Sequence, residues 1–240
     1  MIGFDRPLRP RWIYDSLLLA EPGQKITELN LAFEEIAREL TGKEGKRKVR
    51  TVLFRCFLRS PANRARVRDN LRLKELSEKY DLAFMAPIYL FYLVASTDTL
   101  IIISEHIFRL YEWGSEINSA FLKRKMVEGN GERDVVIRSV SSFLNTLLHF
   151  QVITRSGKNL ILNKPLQINE EQAAIMLQLW ARELCHTPQI DLSQLPPAIF
   201  AWFTWPDLRA VARRYNGELW DYQHRMGGEY LVMYASYGLS

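Results

Sequence analysis

A run of fourteen residues without a single charge, Leu82–Ala95, constrains this chain more than any other feature. A helix that is apolar around its whole circumference has to be covered on every side, so the other elements must be arranged around it. The run falls short of the about 20 apolar residues that a membrane span needs. Ser96, Thr97, Asp98 and Thr99 separate it from the next apolar piece, Leu100–Ile103. A buried core helix is therefore expected, with Pro87 in its first turn, where a missing N–H costs little. With 240 residues and 48% hydrophobic content the chain is long and apolar enough for such a core, as one large domain or two small ones.

Helical spacing recurs elsewhere. It predicts helices over Arg11–Leu19, over Ile26–Leu40 until Gly42 stops it, and over Lys46–Leu58 with Val49, Val52, Leu53, Cys56 and Phe57 on one stripe. Ser60-Pro61 resembles an N-cap followed by proline at the first helical position and predicts a helix to about Tyr80. Further helices are expected over Leu100–Trp113, Glu116–Val127 and, after the loop signal Gly129-Asn130-Gly131, from an Asp134 N-cap through Val135–Phe150. Two β-prone runs, Gln151–Arg155 and Leu160–Asn163, flank Ser156-Gly157-Lys158-Asn159 and predict a small hairpin. A helix over Glu170–Cys185, a Pro- and Trp-rich stretch, a short basic helix over Arg209–Tyr215 and an aromatic tail, taken as helical, complete the chain. The expected fold class is mainly α: a multi-helix bundle with a winged helix-turn-helix element carrying a small β-hairpin. The division falls at 1–128, a helical domain with a basic patch, and 129–240, a winged-helix-like region with the aromatic tail.

Charge is concentrated. Between Lys43 and Glu75 stand Lys43, Lys46, Arg47, Lys48, Arg50, Arg55, Arg59, Arg64, Arg66, Arg68, Arg72 and Lys74 against Glu44, Asp69 and Glu75. Twelve cations less three anions leave +9 locally, in a chain whose total is +5. On the predicted helix Arg64, Arg68 and Arg72 share one face, with no acid four residues from any of them, and like charges left unpaired favour a polyanion. The helix before the hairpin carries a second candidate surface. Its apolar stripe is Val136, Val140, Phe143, Leu144, Leu147 and Leu148, and its polar stripe is Arg138, Ser142, Asn145 and His149. Arg and Asn are the side chains that pair bidentately with guanine and adenine edges, and Arg155 and Lys158 place cations at the hairpin. Helix followed directly by hairpin is the order in which a winged helix lays a helix in the DNA major groove and rests its wing on the backbone.

Other classes find little support. The histidines His106, His149, His186 and His224 lie far apart and none forms an i, i+4 pair with another metal-ligand type, so neither metal nor cofactor is expected. There is no phosphate-cradling Gly-rich loop and no Gly-x-Ser-x-Gly elbow, and neighbours on a helix point apart, so Cys185-His186 makes no nucleophile–base pair. An enzyme is not expected. Cys56 and Cys185 suit buried thiols in a reducing compartment, and Met1–Pro7 has no hydrophobic signal core, so a cytoplasmic protein is expected. Trp202, Trp205 and Trp220 either stack on bases or, more ordinarily, pack on the core.

The early Trp12-Ile13-Tyr14-Asp15-Ser16 segment, the basic helices, the apolar helix and the entry from Arg133 to Ile153 into a winged region resemble the BrxA-type accessory proteins of BREX phage-defence systems. The similarity covers about the first two-thirds of the chain, and the Pro- and Trp-rich tail after Pro188 departs from that pattern. It implies a helical, two-part, non-enzymatic DNA-binding component that works with larger effector proteins. The expected partners are double-stranded DNA and a larger protein complex, with no membrane and with self-association left open. DNA contacts are expected at Lys46, Arg47, Lys48, Arg50, Arg55, Arg64, Arg66, Arg68, Arg72, Arg138, Ser142, Asn145, His149, Arg155 and Lys158. The alternative is an interaction scaffold whose basic patch docks an acidic subunit.

Overall fold

In the computed structural model, which describes residues 3–130, 134–225 and 227–234, the chain is mainly helical. It opens with α1 (Pro10–Leu19), α2 (Leu29–Ile36), α3 (Lys43–Phe57), α4 (Arg72–Lys79) and α5 (Leu82–Ala95). The middle comprises α6 (Asp98–Leu110), β1 (Glu116–Ile117), α7 (Ser119–Asn130), α8 (Asp134–His149), β2 (Ile153–Ser156) and β3 (Asn159–Leu162). Then follow β4 (Leu166–Gln167), α9 (Glu170–Leu179) with a π turn at Trp180–Leu184, β5 (Gln189–Asp191), α10 (Pro197–Phe200), β6 (Phe203–Thr204), α11 (Leu208–Arg214), β7 (Trp220–Arg225) and β8 (Gly228–Met233).

The uncharged run is the central helix α5. Asp81 caps it by accepting from Phe84 N at 2.9 Å, and Met85, Ile88, Tyr89, Leu90, Phe91, Tyr92, Leu93 and Val94 are buried on all its faces. Helices α1, α6 and α9 cover it. Pro87 is the sixth residue of the helix rather than a first-turn residue. Three residues before it, the Phe84 carbonyl accepts from Gln172 Nε2 of α9 at 2.8 Å. Helix α6 turns away from α5 by 101°, and no single helix among the described residues is long and apolar enough to cross a membrane.

Further sequence expectations need correction, among them the helix expected from Glu116, which starts at Ser119 after strand β1. The helix expected from Ile26 to Leu40 begins as a 3₁₀ turn, Ile26–Glu28, and ends at Ile36. No helix starts at Ser60-Pro61. Residues 59–67 instead form an irregular β-like loop: Arg59 bridges Val67, Arg66 bridges Lys25, and Ile26 N and Val67 N donate to Ala65 O and Gln24 O at 2.9 and 2.8 Å. The tail expected to be helical is the antiparallel pair β7–β8, in which Trp220 faces Met233 and Arg225 faces Gly228. Of the two cysteines only Cys56 is buried, whereas Cys185 is exposed.

The predicted hairpin is present. Ser156 faces Asn159, so Gly157 and Lys158 make a two-residue turn, and Gly157 takes φ +60 at its first position, where glycine carries no steric penalty. Strand β1 adds to it, giving the order β1-β3-β2. The break placed between residues 128 and 129 falls inside α7, and Gly131 lies outside the described residues.

Two ties hold distant parts of the chain together. The opening segment lies against α8: Phe4 N donates to Ser139 Oγ and Leu8 N to Thr146 Oγ1, both at 3.0 Å, while Arg55 Nη2 donates to Gly3 O at 2.7 Å. Trp202, between α10 and β6, is fully buried among Phe108, Trp113 and Phe143, and its Nε1 donates to Ser104 Oγ of α6 at 3.1 Å. Trp220 is also fully buried, so these two indoles belong to the core.

Candidate nucleic-acid interface

The basic stretch is less free than its composition suggests. Lys46 and Arg50 of α3 both reach Glu34 of α2, at 3.5 and 3.4 Å, and Arg47 and Lys48 share Glu44, at 2.7 and 3.3 Å. The Arg47 and Lys48 hydrogen bonds pull the Glu44 carboxyl down to about 2. Lys74 holds Glu21 and Glu78 at 3.1 and 3.2 Å, and Arg72 is nearly buried and paired to Glu75 at 2.8 Å. Because residues 59–67 are not helical, Arg64, Arg68 and Arg72 do not step along one face, and Arg72 is neutralised rather than unpaired.

The remaining cations have no acid in those ion pairs. Arg66 Nη1 donates to Gly23 O at 2.7 Å, and Arg68 Nη1 donates to Tyr92 Oη at 2.6 Å. Arg64 stands exposed at the tip of the 59–67 loop. Burial, followed by the neighbouring charges of Arg55 and Arg64, lowers the pKa of Arg59, whose Nε is buried without a hydrogen-bond partner. Guanidiniums crowded in this way gain from an anion that neutralises them.

On α8 the polar stripe is partly as expected. Arg138, Asn145 and His149 are exposed, with Arg138 held by Asp134 at 2.9 Å, and Asn145 Nδ2 donates to Ser141 O at 2.9 Å. Ser142 is only 6% exposed and lies on the flank with Ser139 and Thr146, toward the opening segment. The half-exposed Ser141 completes the outward face instead. Asp134 is the first helical residue.

At the hairpin Arg155 and Lys158 are exposed and make no ion pair among the described residues. With Glu116, Ile117, Asn118, Ser119, Asn159 and Leu160 they line a cleft of about 360 Å³. Asn159 Nδ2 donates to Glu116 Oε2 at 2.8 Å, and Asn118 Oδ1 caps α7 by accepting from Phe121 N at 2.9 Å. Sequence reasoning missed this cleft because it depends on the pairing of β1 with β3, which no local pattern announces. The Asn118-Ser119 pair ahead of an apolar residue was the available signal for the cap.

His149 is the titratable group of this face. Partial desolvation of its ring, followed by the charge of Arg9, lowers its pKa below the ordinary 6.5. The folded state thus favours the neutral ring. The stability this contributes is fully present above the unfolded value and is lost as pH falls through the folded one. Urea unfolding of His149→Gln between pH 7 and 5 should show a smaller loss of stability on acidification than the parent chain. An equal loss in both would remove His149 from the acid response.

Among the described residues no group of three or more His, Cys, Asp or Glu is placed to hold a metal ion. Comparison of the chain with protein-family models, with curated proteins and with solved structures returned no match.

Proposed function

We propose that this protein is a non-enzymatic accessory protein that binds duplex DNA through a winged-helix unit, in a cytoplasmic complex such as the phage-defence assemblies its sequence resembles. In this reading α6, β1, α7, α8 and the β2–β3 hairpin are the winged helix, with α8 as the groove helix and the hairpin as the wing. The observation that carries it is the pairing of an exposed Arg138, Asn145 and His149 face on α8 with the exposed cations Arg155 and Lys158, which make no ion pair among the described residues, on the hairpin that follows. Arg and Asn would address base edges, and the hairpin cations would rest on phosphate. The uncompensated Arg55, Arg59 and Arg64 would extend the backbone contact of this unit, while the paired Lys46, Arg47, Lys48, Arg50 and Arg72 would contribute mainly at low salt.

The test is a fluorescence-anisotropy titration against duplex DNA, single-stranded DNA and RNA of equal length at two salt concentrations. Salt-sensitive binding that favours duplex is expected. No binding to any of the three at low salt would refute the reading and turn the search to an acidic protein partner docked on Arg55, Arg59 and Arg64.

A further inference from the structure

The last third of the chain repeats the connectivity of its middle, with one strand inserted between its two helices. In the middle, a helix (α6) leads through a short strand (β1) and two helices (α7, α8) to a hairpin (β2–β3), and the sheet runs first strand, last strand, middle strand. From Glu170, a helix (α9 with its π turn) leads through a short strand (β5), the four-residue helix α10, the two-residue strand β6, which pairs with β4 outside this sheet, and a helix (α11) to a hairpin (β7–β8). Its sheet again runs first, last, middle, as β5-β8-β7, and every pairing in both sheets is antiparallel. The two sequences show no periodic repeat. The second copy is shorter, with seven residues in α11 against sixteen in α8.

In both copies the last helix and the hairpin carry exposed cations. Helix α11 buries Val211 and Ala212, and Trp220 Nε1 donates to Ala212 O at 2.9 Å, so Arg209, Arg213 and Arg214 are turned outward. Glu229 takes Arg209 at 2.8 Å and Glu170 takes Arg214, which leaves Arg213 without an ion pair among the described residues. On the hairpin, His224 and Arg225 are exposed, with Arg225 over the Tyr230 ring at 5.9 Å. Of the acids nearby, Glu229 is taken by Arg209 and Tyr222, Asp221 by Gln223 Nε2 at 2.6 Å, and Asp207 caps α11 by accepting from Arg209 N at 2.9 Å, while Glu218 is exposed between α11 and β7.

We infer that the C-terminal unit is a second winged-helix module, and that Arg213 on α11 and Arg225 on the β7–β8 hairpin form a second contact with the phosphates of the same duplex. The inference rests on the duplex-binding reading of the first unit. A phosphate backbone is the occupant that suits a cation on the last helix and a cation on the hairpin that follows it, the two elements on which the first unit carries its own.

Two variants separate the contacts, Arg213→Glu/Arg225→Glu and Arg155→Glu/Lys158→Glu, each titrated against duplexes of about one and about three helical turns, roughly 10 and 30 base pairs. All four residues are exposed, and thermal melts monitored by circular dichroism check that both variants fold. The parent chain should bind the long duplex with a steeper salt dependence than the short one. Arg213→Glu/Arg225→Glu should lower the long-duplex salt slope by about two and its affinity on the order of tenfold per contact near 0.1 M salt, with the short-duplex affinity retained through the first unit. If this variant binds the long duplex as the parent does while Arg155→Glu/Lys158→Glu weakens it, the second contact is refuted and the first stands. If the parent binds neither duplex, the reading of the first unit fails and takes the second with it.

Discussion

Replacing Arg155 and Lys158 together with Glu is expected to lower duplex affinity on the order of a hundredfold near 0.1 M salt and to flatten the salt slope by about two. Each cation that neutralises a phosphate releases condensed counterions and contributes about 0.9 to the slope, which near 0.1 M is on the order of tenfold in affinity. Neither side chain makes an ion pair among the described residues, so little of that charge is already spent within the protein. Reversal also sets new carboxylates beside Glu116, which lines the same cleft, and adds repulsion to the lost attraction. The same change at Arg47 and Lys48 serves as the control. Their partner Glu44 already neutralises them in part, and the salt slope should move less. An equal fall in both variants would mean that the duplex senses net charge and not this hairpin.

Trp202→Ala is expected to cost about 3–5 kcal/mol of folding stability, the range for removing a large buried aromatic. The indole is fully buried, its ring centroid is 4.5 Å from that of Phe108 and 5.8 Å from that of Phe143, and its N–H is satisfied by Ser104. It comes from the segment between α10 and β6 and seats on α6 and α8, so it joins the last third of the chain to the middle. Denaturant unfolding should show one transition for the parent and, for the variant, a lower midpoint with separation into two transitions. A loss below about 1 kcal/mol would mean that the cavity collapses and that the joint lies elsewhere.

Much of this could be read in the sequence, for reasons that differ by region. The apolar run declared α5 because a circumference without charge admits one environment. The α8 helix and its hairpin were legible because the period changes from helical to alternating across a glycine turn. The stretch from Arg59 to Val67 was not, since Ser60-Pro61 is as good a turn opening as a helix N-terminus, and what decides between them is the pairing of Arg59 and Arg66 with Val67 and Lys25. The freedom of the basic residues was overestimated for a related reason. A spacing rule sees Glu44 and Glu75, but it cannot see Glu34 meeting Lys46 and Arg50, or Glu21 meeting Lys74, across helices. At the tail, Gly227-Gly228 between two aromatic runs was a usable hairpin signal, outweighed by composition.

The strap between the opening segment and α8 has a consequence in time. Phe4 finds its hydroxyl partner 135 residues later and Leu8 finds its own 138 residues later. During synthesis at the usual pace, about ten to thirty seconds pass between the appearance of the two halves of that seam. Through that interval the first helices wait with one flank unsealed, and completion of the core is tied to the arrival of a segment from the second half of the chain. A ribosome that pauses before Ser139 would hold the nascent protein at the stage when its apolar surface is least covered, which makes that stretch of the message the place where translation speed and solubility meet.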